Sequence, residues 1–261
     1  MTSHSSTPCA VLLVAWQCED DMNTIITLDI ETIPAQREDV RAYFAKTIGK
    51  DTVEKLASVR APANYKDQAK IDEYIQKAKQ DLIDGEQAAI DEAVNKTGLD
   101  GAFGQIVCVG VALGDADPVV LSGMDEPDLL NRLNDHLGKV PANQYLSTSI
   151  VGHNVSSFDL RFLMQRYIVN GIRPHQLIRM AAEAKPWEKE RVYDTMIQFA
   201  GVGNRISLDK LCMALGLPGK GDITGADVWP MVQAGRLEEV AAYCADDVSK
   251  TRAVFKRMTF A

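Results

Sequence analysis

Paired cysteines and apolar runs long enough to cross a membrane are absent from this 261-residue sequence. Its cysteines are odd in number and form no Cys-x-x-Cys pair; they are Cys9, Cys18, Cys108, Cys212 and Cys244. Such a set argues against a disulfide framework and favours reduced thiols in a cytoplasmic protein. The apolar run at 10–16 is too short to span a bilayer, and no basic residue precedes it as in a signal peptide. We therefore expect no membrane association.

Net positive charge is also lacking, since 28 Lys and Arg face 36 Asp and Glu, which gives a formal net charge of −8. Phosphate affinity usually comes from Lys and Arg, so this balance excludes a broad basic face for nucleic acid. It leaves room for a local basic track and for weak, salt-sensitive binding. The 46% of hydrophobic and 25% of charged residues are ordinary for a globular protein. The length allows one large α/β domain or two small ones.

Hydrophobic periodicity predicts strands and helices in alternation. Strands are expected at 24–29, 105–113, 119–121 and 149–152, and helices at 126–137, from Asp159 onward, at 207–215 and at 237–258. Residues 191–199 fit either a strand or the start of a helix. The stretch 36–96 has helical spacing that Pro62 divides into at least two parts. This order of elements is typical of an α/β fold.

The domain organisation follows from where the first strand lies. Met22 stands just ahead of that strand, so we expect residues 1–21 to be a disordered extension outside the fold. Residues 22–261 would then form a single domain. Within it, residues 36–100 form a long helical insertion after the first strand.

Two acids end the first strand. Asp29 and Glu31 are two positions apart, and side chains at i and i+2 of a strand point to the same face. Close carboxylates repel each other and are costly to bury unless a cation lies between them. Hard oxygen ligands in such a pair suit Mg²⁺ or Mn²⁺, although Asp-x-Glu also occurs at ordinary strand-to-turn boundaries.

A third acid, Asp159, ends an Asn-x-x-x-Phe-Asp pattern that contains Asn154 and Phe158. In the first turn of a helix, Asp159 is either a functional acid or simply a partner of the helix dipole, and both interpretations stay open here. Phe158 should pack the helix against the sheet, and Asn154 should bond local backbone or orient the site. His153 is interpreted as structural or as a residue that supports the site without touching the substrate, because a lone histidine is not diagnostic.

The last predicted helix carries a Tyr-x-x-x-Asp pattern. Tyr243 and Asp247 are four residues apart and therefore share a face. Asp246 competes for any role of Asp247, but it is turned by about 100° around the helix. Cys244 and Val248 belong to the apolar stripe, so we expect the Asp247 side to face inward. Taken singly, both acids could be solvated helix residues.

Together, these three ordered motifs resemble those of the DEDD superfamily of 3′–5′ exonucleases, in the subtype whose third motif carries tyrosine. The chain is similar to stand-alone exonucleases related to the proofreading domain of family B DNA polymerases, over roughly residues 22–258. Further matching segments are 28–34, 63–67, 104–108 and 217–220. The resemblance implies a ribonuclease H-like fold, in which helices flank a mixed sheet.

The resemblance also implies a two-metal hydrolysis with two Mg²⁺ or Mn²⁺ ions. Asp29 would bridge the ions, Glu31 and Asp247 would complete the ion on the nucleophile side, and Asp159 would serve the other ion through water. Tyr243 would orient the attacking water. The product would be a nucleoside 5′-monophosphate from the 3′ end.

The expected partner is the 3′ end of DNA, with single-stranded ends as the substrate; the oligomeric state is not predicted. An exoribonuclease of the same superfamily and a non-catalytic nucleic-acid-binding module are the alternatives. The candidate substrate contacts are Thr32, Asn154, Phe158 and Lys220, of which Thr32 could instead cap a turn and Lys220 could be merely solvated.

Basic residues offer two candidate phosphate tracks. One would draw on the arginines Arg161, Arg166, Arg173 and Arg205, without a way to choose among them from the sequence. The other would follow the insertion, whose lysines are Lys46, Lys50, Lys55, Lys66, Lys70, Lys77 and Lys79. A solvated helix face that balances neighbouring acids is the alternative for these lysines.

Overall fold

A five-stranded mixed sheet lies at the centre of the computed structural model, which describes residues 24–185, 188–219 and 221–261. The strands are β1 (Thr24–Ile33), β2 (Gln105–Leu113), β3 (Val119–Ser122), β4 (Thr148–Gly152) and β5 (Val192–Asp194). Their order is β3-β2-β1-β4-β5. β2 pairs antiparallel with β1 and β3, whereas β4 pairs parallel with β1 and β5. The predicted α/β class is therefore confirmed.

Helices cover the sheet. They are α1 (Glu38–Ser58), α2 (Gln68–Lys96), α3 (Glu126–Leu137), α4 (Asp159–Val169), α5 (Gln176–Ala182), α6 (Thr195–Ala200), α7 (Leu208–Ala214), α8 (Val228–Gln233) and α9 (Leu237–Thr259). The ambiguous stretch 191–199 is a strand followed by a helix, because the Asp194 carboxylate ends β5 and accepts the first N–H groups of α6. The short helices α5 and α8 had no sequence prediction. Within the described ranges, no helix has both the length and the apolar character to cross a membrane.

Both faces of the sheet are buried. One core packs β1 residues such as Ile26 and Leu28 against α3 and α4, and the other packs Cys108 of β2 against α8 and α9. This explains why β2 is a continuous apolar run rather than an alternating one. Cys108, Cys212 and Cys244 are free and buried, as expected of small core residues. Cys9, Cys18 and the predicted extension 1–21 lie outside the described residues.

Helices α1 and α2 form a hairpin between β1 and β2, and the connection 59–67 between them contains Pro62. The base of the hairpin is fastened to the end of β1. The N–H of Ala35 donates to Thr97 Oγ1 at 2.7 Å, and the Thr32 hydroxyl donates to the Gly98 carbonyl at 2.6 Å. The end of β1 and the end of α2 therefore lie side by side.

Candidate active site

Carboxylates from β1 and α9 meet in one group. Asp29 and Glu31 leave the same face of β1, and Asp247 reaches them from α9; one oxygen of each lies within 4.8 Å of the others. Glu31 and Asp247 are buried, and Asp29 is partly buried. The structure thus brings together three of the four predicted acids.

Two backbone features lie beside this group. The β1–β2 register shifts between Glu31 and Thr32, and such an irregularity bends and twists a strand at its end. Gly110 of β2, which pairs with Asp29, lets α9 approach closely. A Cβ at Gly110 would lie 2.7 Å from Val248 Cγ2 and 3.0 Å from Cys244 Sγ. Any larger residue there would push α9, and with it the third motif, away from β1.

Asp159 lies next to this group. It is buried at the start of α4, and its Oδ1 accepts a hydrogen bond of 3.1 Å from the N–H of Ile30, the residue between the two acids of β1. It is also near enough to raise the pKa of Asp29. Asp159 therefore faces β1 and the carboxylates rather than solvent, which goes beyond a role at the helix dipole.

The electrostatics of the group disfavour its charged state. Burial, followed by repulsion from Glu31, Asp159 and Asp247, raises the pKa of Asp29 well above its ordinary value. Burial also raises the pKa of Asp159 to about 7, against the stabilising N–H of Ile30. A cation that binds between desolvated, mutually repelling carboxylates stabilises their charged form, so this arrangement suits a divalent ion.

Tyr243 is half-buried on the face of α9 that carries Asp247, and the two side chains are hydrogen-bonded. Burial, then the charges of Glu31 and Asp247, hold the pKa of Tyr243 far above its usual range, so the phenol stays protonated. Asp246 is exposed and forms an ion pair with Lys250. The structure therefore places Asp247, and not Asp246, beside Asp29 and Glu31.

Sequence reasoning missed one contact of the site. Cys244 Sγ donates to Asp29 Oδ2 at 3.5 Å. The sequence signal that could have indicated Cys244 is its position on the buried stripe of the last helix, one residue after Tyr243 and three before Asp247.

Two residues near the site have structural partners. His153 uses both ring nitrogens, because Nε2 donates to the Ile206 carbonyl at 2.9 Å and Nδ1 lies 2.9 Å from Thr195 Oγ1. Burial lowers the pKa of His153, so it is a neutral linker between loops, which agrees with its interpretation as structural. Asp194 caps α6 and also accepts the N–H groups of Asn154 and Ser156.

A pocket of about 490 Å³ adjoins the carboxylates. Glu31, Thr32 and Phe158 line it, together with residues that the sequence had not indicated, such as Leu99 and Trp229. Its wall is mainly apolar beside one carboxylate, which suits the base and sugar of a nucleotide better than a free ion. The Thr32 hydroxyl is bound to Gly98, so any hydrogen bond it offers a ligand competes with that bond.

The remaining predicted contacts are placed as follows. Asn154 lines a different pocket, and Lys220 lies outside the described residues. Arg166 is buried and pairs with Glu126 at 2.6 Å, so its inclusion among the track candidates was wrong. The seven insertion lysines are all exposed, and a track along them stays a prediction.

Residues 106–261 match the model of a family described as predicted 3′–5′ exonucleases related to the exonuclease domain of PolB. The match covers more than half of the chain, which therefore belongs to this family. β1, with Asp29 and Glu31, precedes the matched residues, so the placement of those two acids depends on the geometry above.

The fold is similar to that of the family B DNA polymerase from the hyperthermophilic archaeon Pyrobaculum calidifontis, with a TM-score of 0.50 and 13% identity. The similarity covers 90% of this chain and 24% of that polymerase, so the chain spans about a quarter of the polymerase's length. At this identity, the likeness shows the fold alone, a ribonuclease H-like mixed sheet flanked by helices. No curated protein matches the chain.

Proposed function

We propose that the protein is a metal-dependent 3′–5′ exonuclease of the tyrosine-containing DEDD subtype, which degrades single-stranded DNA ends to nucleoside 5′-monophosphates. The observation that carries this proposal is the group of carboxylates from Asp29, Glu31 and Asp247, in which Tyr243 is hydrogen-bonded to Asp247. Membership in a family of predicted 3′–5′ exonucleases supports the reaction class. The relation of that family to PolB supports DNA as the substrate.

The donor set fits divalent metal ions, and we propose that two of them bind. Carboxylate oxygens are the ligands that Mg²⁺ and Mn²⁺ prefer, and the pKa of Asp29 is raised first by burial and then by repulsion from Glu31, Asp159 and Asp247. Asp29, Glu31 and Asp247 would hold one ion, and Asp29 with Asp159 would hold the other. When bound, such ions lower the pKa of an attacking water and stabilise the leaving 3′-oxygen.

The side chains around the carboxylates orient the reactants. Tyr243 stays protonated, so it acts as a hydrogen-bonding group that positions water and not as a base. The pocket beside Glu31 takes the terminal nucleoside, with Phe158 as an apolar contact for the base or sugar. Holding both reactants in place in this way supplies a large part of the catalysis in such a site.

Oligonucleotides labelled at one end test this proposal. With Mg²⁺, a 3′-labelled single strand should release its label at once as a mononucleotide, whereas a 5′-labelled strand should shorten step by step. EDTA should stop both reactions. Labelled fragments longer than a mononucleotide from the 3′-labelled strand at early times would indicate an endonuclease instead. Equal degradation of RNA of the same sequence would show that the protein does not prefer DNA over RNA.

A further inference from the structure

A second pocket, of about 470 Å³, borders the loop that leads into Asp159. Two guanidinium groups line it, from Arg161 in the first turn of α4 and from Arg205 in the loop after α6, and no acidic side chain is among its lining residues. The uncharged polar residues beside them include Asn154, Ser156 and Ser157. In a chain with a net charge of −8, this is a local concentration of positive charge.

Both arginines are available for a ligand. They are exposed, and neither forms an ion pair or a side-chain hydrogen bond with any residue in the described ranges. Arg166 on the same helix differs, because it is buried and bound to Glu126. A guanidinium group presents a planar set of N–H donors that matches the oxygens of a phosphate.

The walls of this pocket are fixed to each other. The His153 ring donates to the Ile206 carbonyl, which follows Arg205 directly, so the loop of Arg205 is tied to the loop before α4. The Asp194 carboxylate lies behind the same loop, and the N–H groups of Asn154 and Ser156 each bind it at 3.0 Å. Asp194 is buried, and its carboxylate also accepts hydrogen bonds from the first N–H groups of α6. The two arginines are thus held on preformed loops.

The pocket is adjacent to the proposed active site. Phe158 lines the pocket beside Glu31, while its sequence neighbour Ser157 lines the pocket of Arg161 and Arg205. The two pockets therefore lie on either side of one short loop. A strand whose terminal nucleoside occupies the first pocket can place an earlier phosphate in the second.

We infer that this arginine pocket, formed by Arg161 and Arg205 with Asn154, Ser156 and Ser157, binds a phosphodiester group of the DNA strand upstream of the cleaved bond. The inference rests on the proposed function, and it adds a substrate contact that governs affinity for a strand but not the chemistry at its end. Contacts to phosphate carry little sequence preference, so the pocket would serve any sequence.

The test compares the double variant Arg161→Ala/Arg205→Ala with the wild type and with Arg173→Ala. Arg173 is also exposed, but it lies beyond the other end of α4 and does not line the pocket, so Arg173→Ala controls for the loss of one exposed positive charge outside the pocket. Binding of a 5′-fluorescein 12-nucleotide thymidine strand is measured by anisotropy in EDTA, which prevents cleavage, over a series of salt concentrations. Thermal unfolding confirms that each variant is folded.

The double variant should bind the strand at least about tenfold more weakly, and its log–log salt slope should fall by about 0.7 for each phosphate that the arginines no longer neutralise. Arg173→Ala should bind like the wild type. Wild-type affinity and salt slope in the double variant would overturn the inference, as would an equally weakened affinity in Arg173→Ala. Hydrolysis of thymidine 5′-(p-nitrophenyl phosphate), which has no upstream phosphate, separately tests the proposed function and should be unchanged in the double variant.

Discussion

Lys250 forms an ion pair with Asp246 on α9, while Asp247, the next residue, is buried and lies beside Asp29 and Glu31. Successive residues of a helix differ by about 100° around its axis, so two adjacent acids have separate environments. One balances a buried lysine, and the other belongs to the proposed metal site.

This difference predicts opposite outcomes for two conservative substitutions. Asp247→Asn should lower kcat at least about 100-fold, since a metal ligand contributes several kcal/mol to catalysis. Asp246→Asn should stay within about threefold of the wild type in kcat, with a lower Tm because Lys250 loses its charged partner. Steady-state rates on a labelled oligonucleotide provide the comparison. A dead Asp246→Asn beside an active Asp247→Asn would show that the other acid is the ligand.

Tyr243 should act as a positioning group. Tyr243→Phe removes the hydroxyl next to Asp247 and should lower kcat by about 5- to 150-fold, the range expected when one hydrogen bond of about 1–3 kcal/mol is removed. The Mg²⁺ concentration for half-maximal rate should change little. Tyr193→Phe is the matched control, because Tyr193 packs on Phe255. If both variants keep wild-type kcat, the hydroxyl of Tyr243 has no part in the reaction.

The metal-free protein should lose stability from its site as pH rises. The folded-state pKa of Asp159 is about 7 against an ordinary 3.8, so the folded state binds this proton more tightly than the unfolded chain. That contribution is complete below about pH 4 and is lost as pH rises through about 7. In Asp159→Asn, the amide oxygen can still accept the hydrogen bond from the Ile30 N–H, but the side chain has no proton that titrates. The difference in Tm between Asp159→Asn and the wild type (variant minus wild type), measured in EDTA, should therefore increase by about 4 °C or more from pH 5 to pH 8.

Asp135→Asn is the control for this titration, because Asp135 is exposed on α3. Its Tm difference from the wild type should be the same at both pH values. Mg²⁺ should remove the effect in the wild type, because bound cations favour the ionised carboxylates. A Tm difference for Asp159→Asn that does not depend on pH would contradict the raised pKa.

Gly110 should set how closely α9 approaches β1. Gly110→Ala places a methyl group 2.7 Å from Val248 Cγ2, so α9 must shift, at a cost of about 1–3 kcal/mol. We expect weaker Mn²⁺ binding by calorimetry and a lower kcat. Adding Val248→Ala should restore part of both. Gly85→Ala in α2, where nothing lies within 4 Å, should leave Mn²⁺ binding unchanged. Unaltered Mn²⁺ affinity in Gly110→Ala would rule out this role.

Local patterns were sufficient for much of the fold. The continuous apolar run of 105–113 and the periodic run of 126–137 coincide with β2 and α3, because burial on both faces of a strand and on one face of a helix leaves a direct trace in sequence. The short α5 and α8 have too few turns to show a period. The carboxylates of β1 and α9 could be proposed as partners through the family resemblance, whereas Cys244 and Gly110 act through contacts across more than a hundred residues.

The arginines show the same limit. The sequence could nominate Arg161, Arg166, Arg173 and Arg205 but not choose among them, since nothing local distinguishes a buried arginine from an exposed one. Burial of Arg166 against Glu126 depends on the packing of α4 on α3, and the convergence of Arg161 with Arg205 depends on the loop that His153 ties down. Such choices are made by tertiary structure.

The most direct test of the central claim is degradation of a 5′-labelled single-stranded DNA by the wild type and by Asp29→Ala, purified in parallel and assayed with Mg²⁺. Asp29 lies at the centre of the carboxylate group, and its removal relieves repulsion, so the variant should fold with an equal or higher Tm in EDTA. We predict a ladder of 3′-shortened products from the wild type and none above background from the variant. An Asp29→Ala protein that degrades the strand at the wild-type rate would contradict the account.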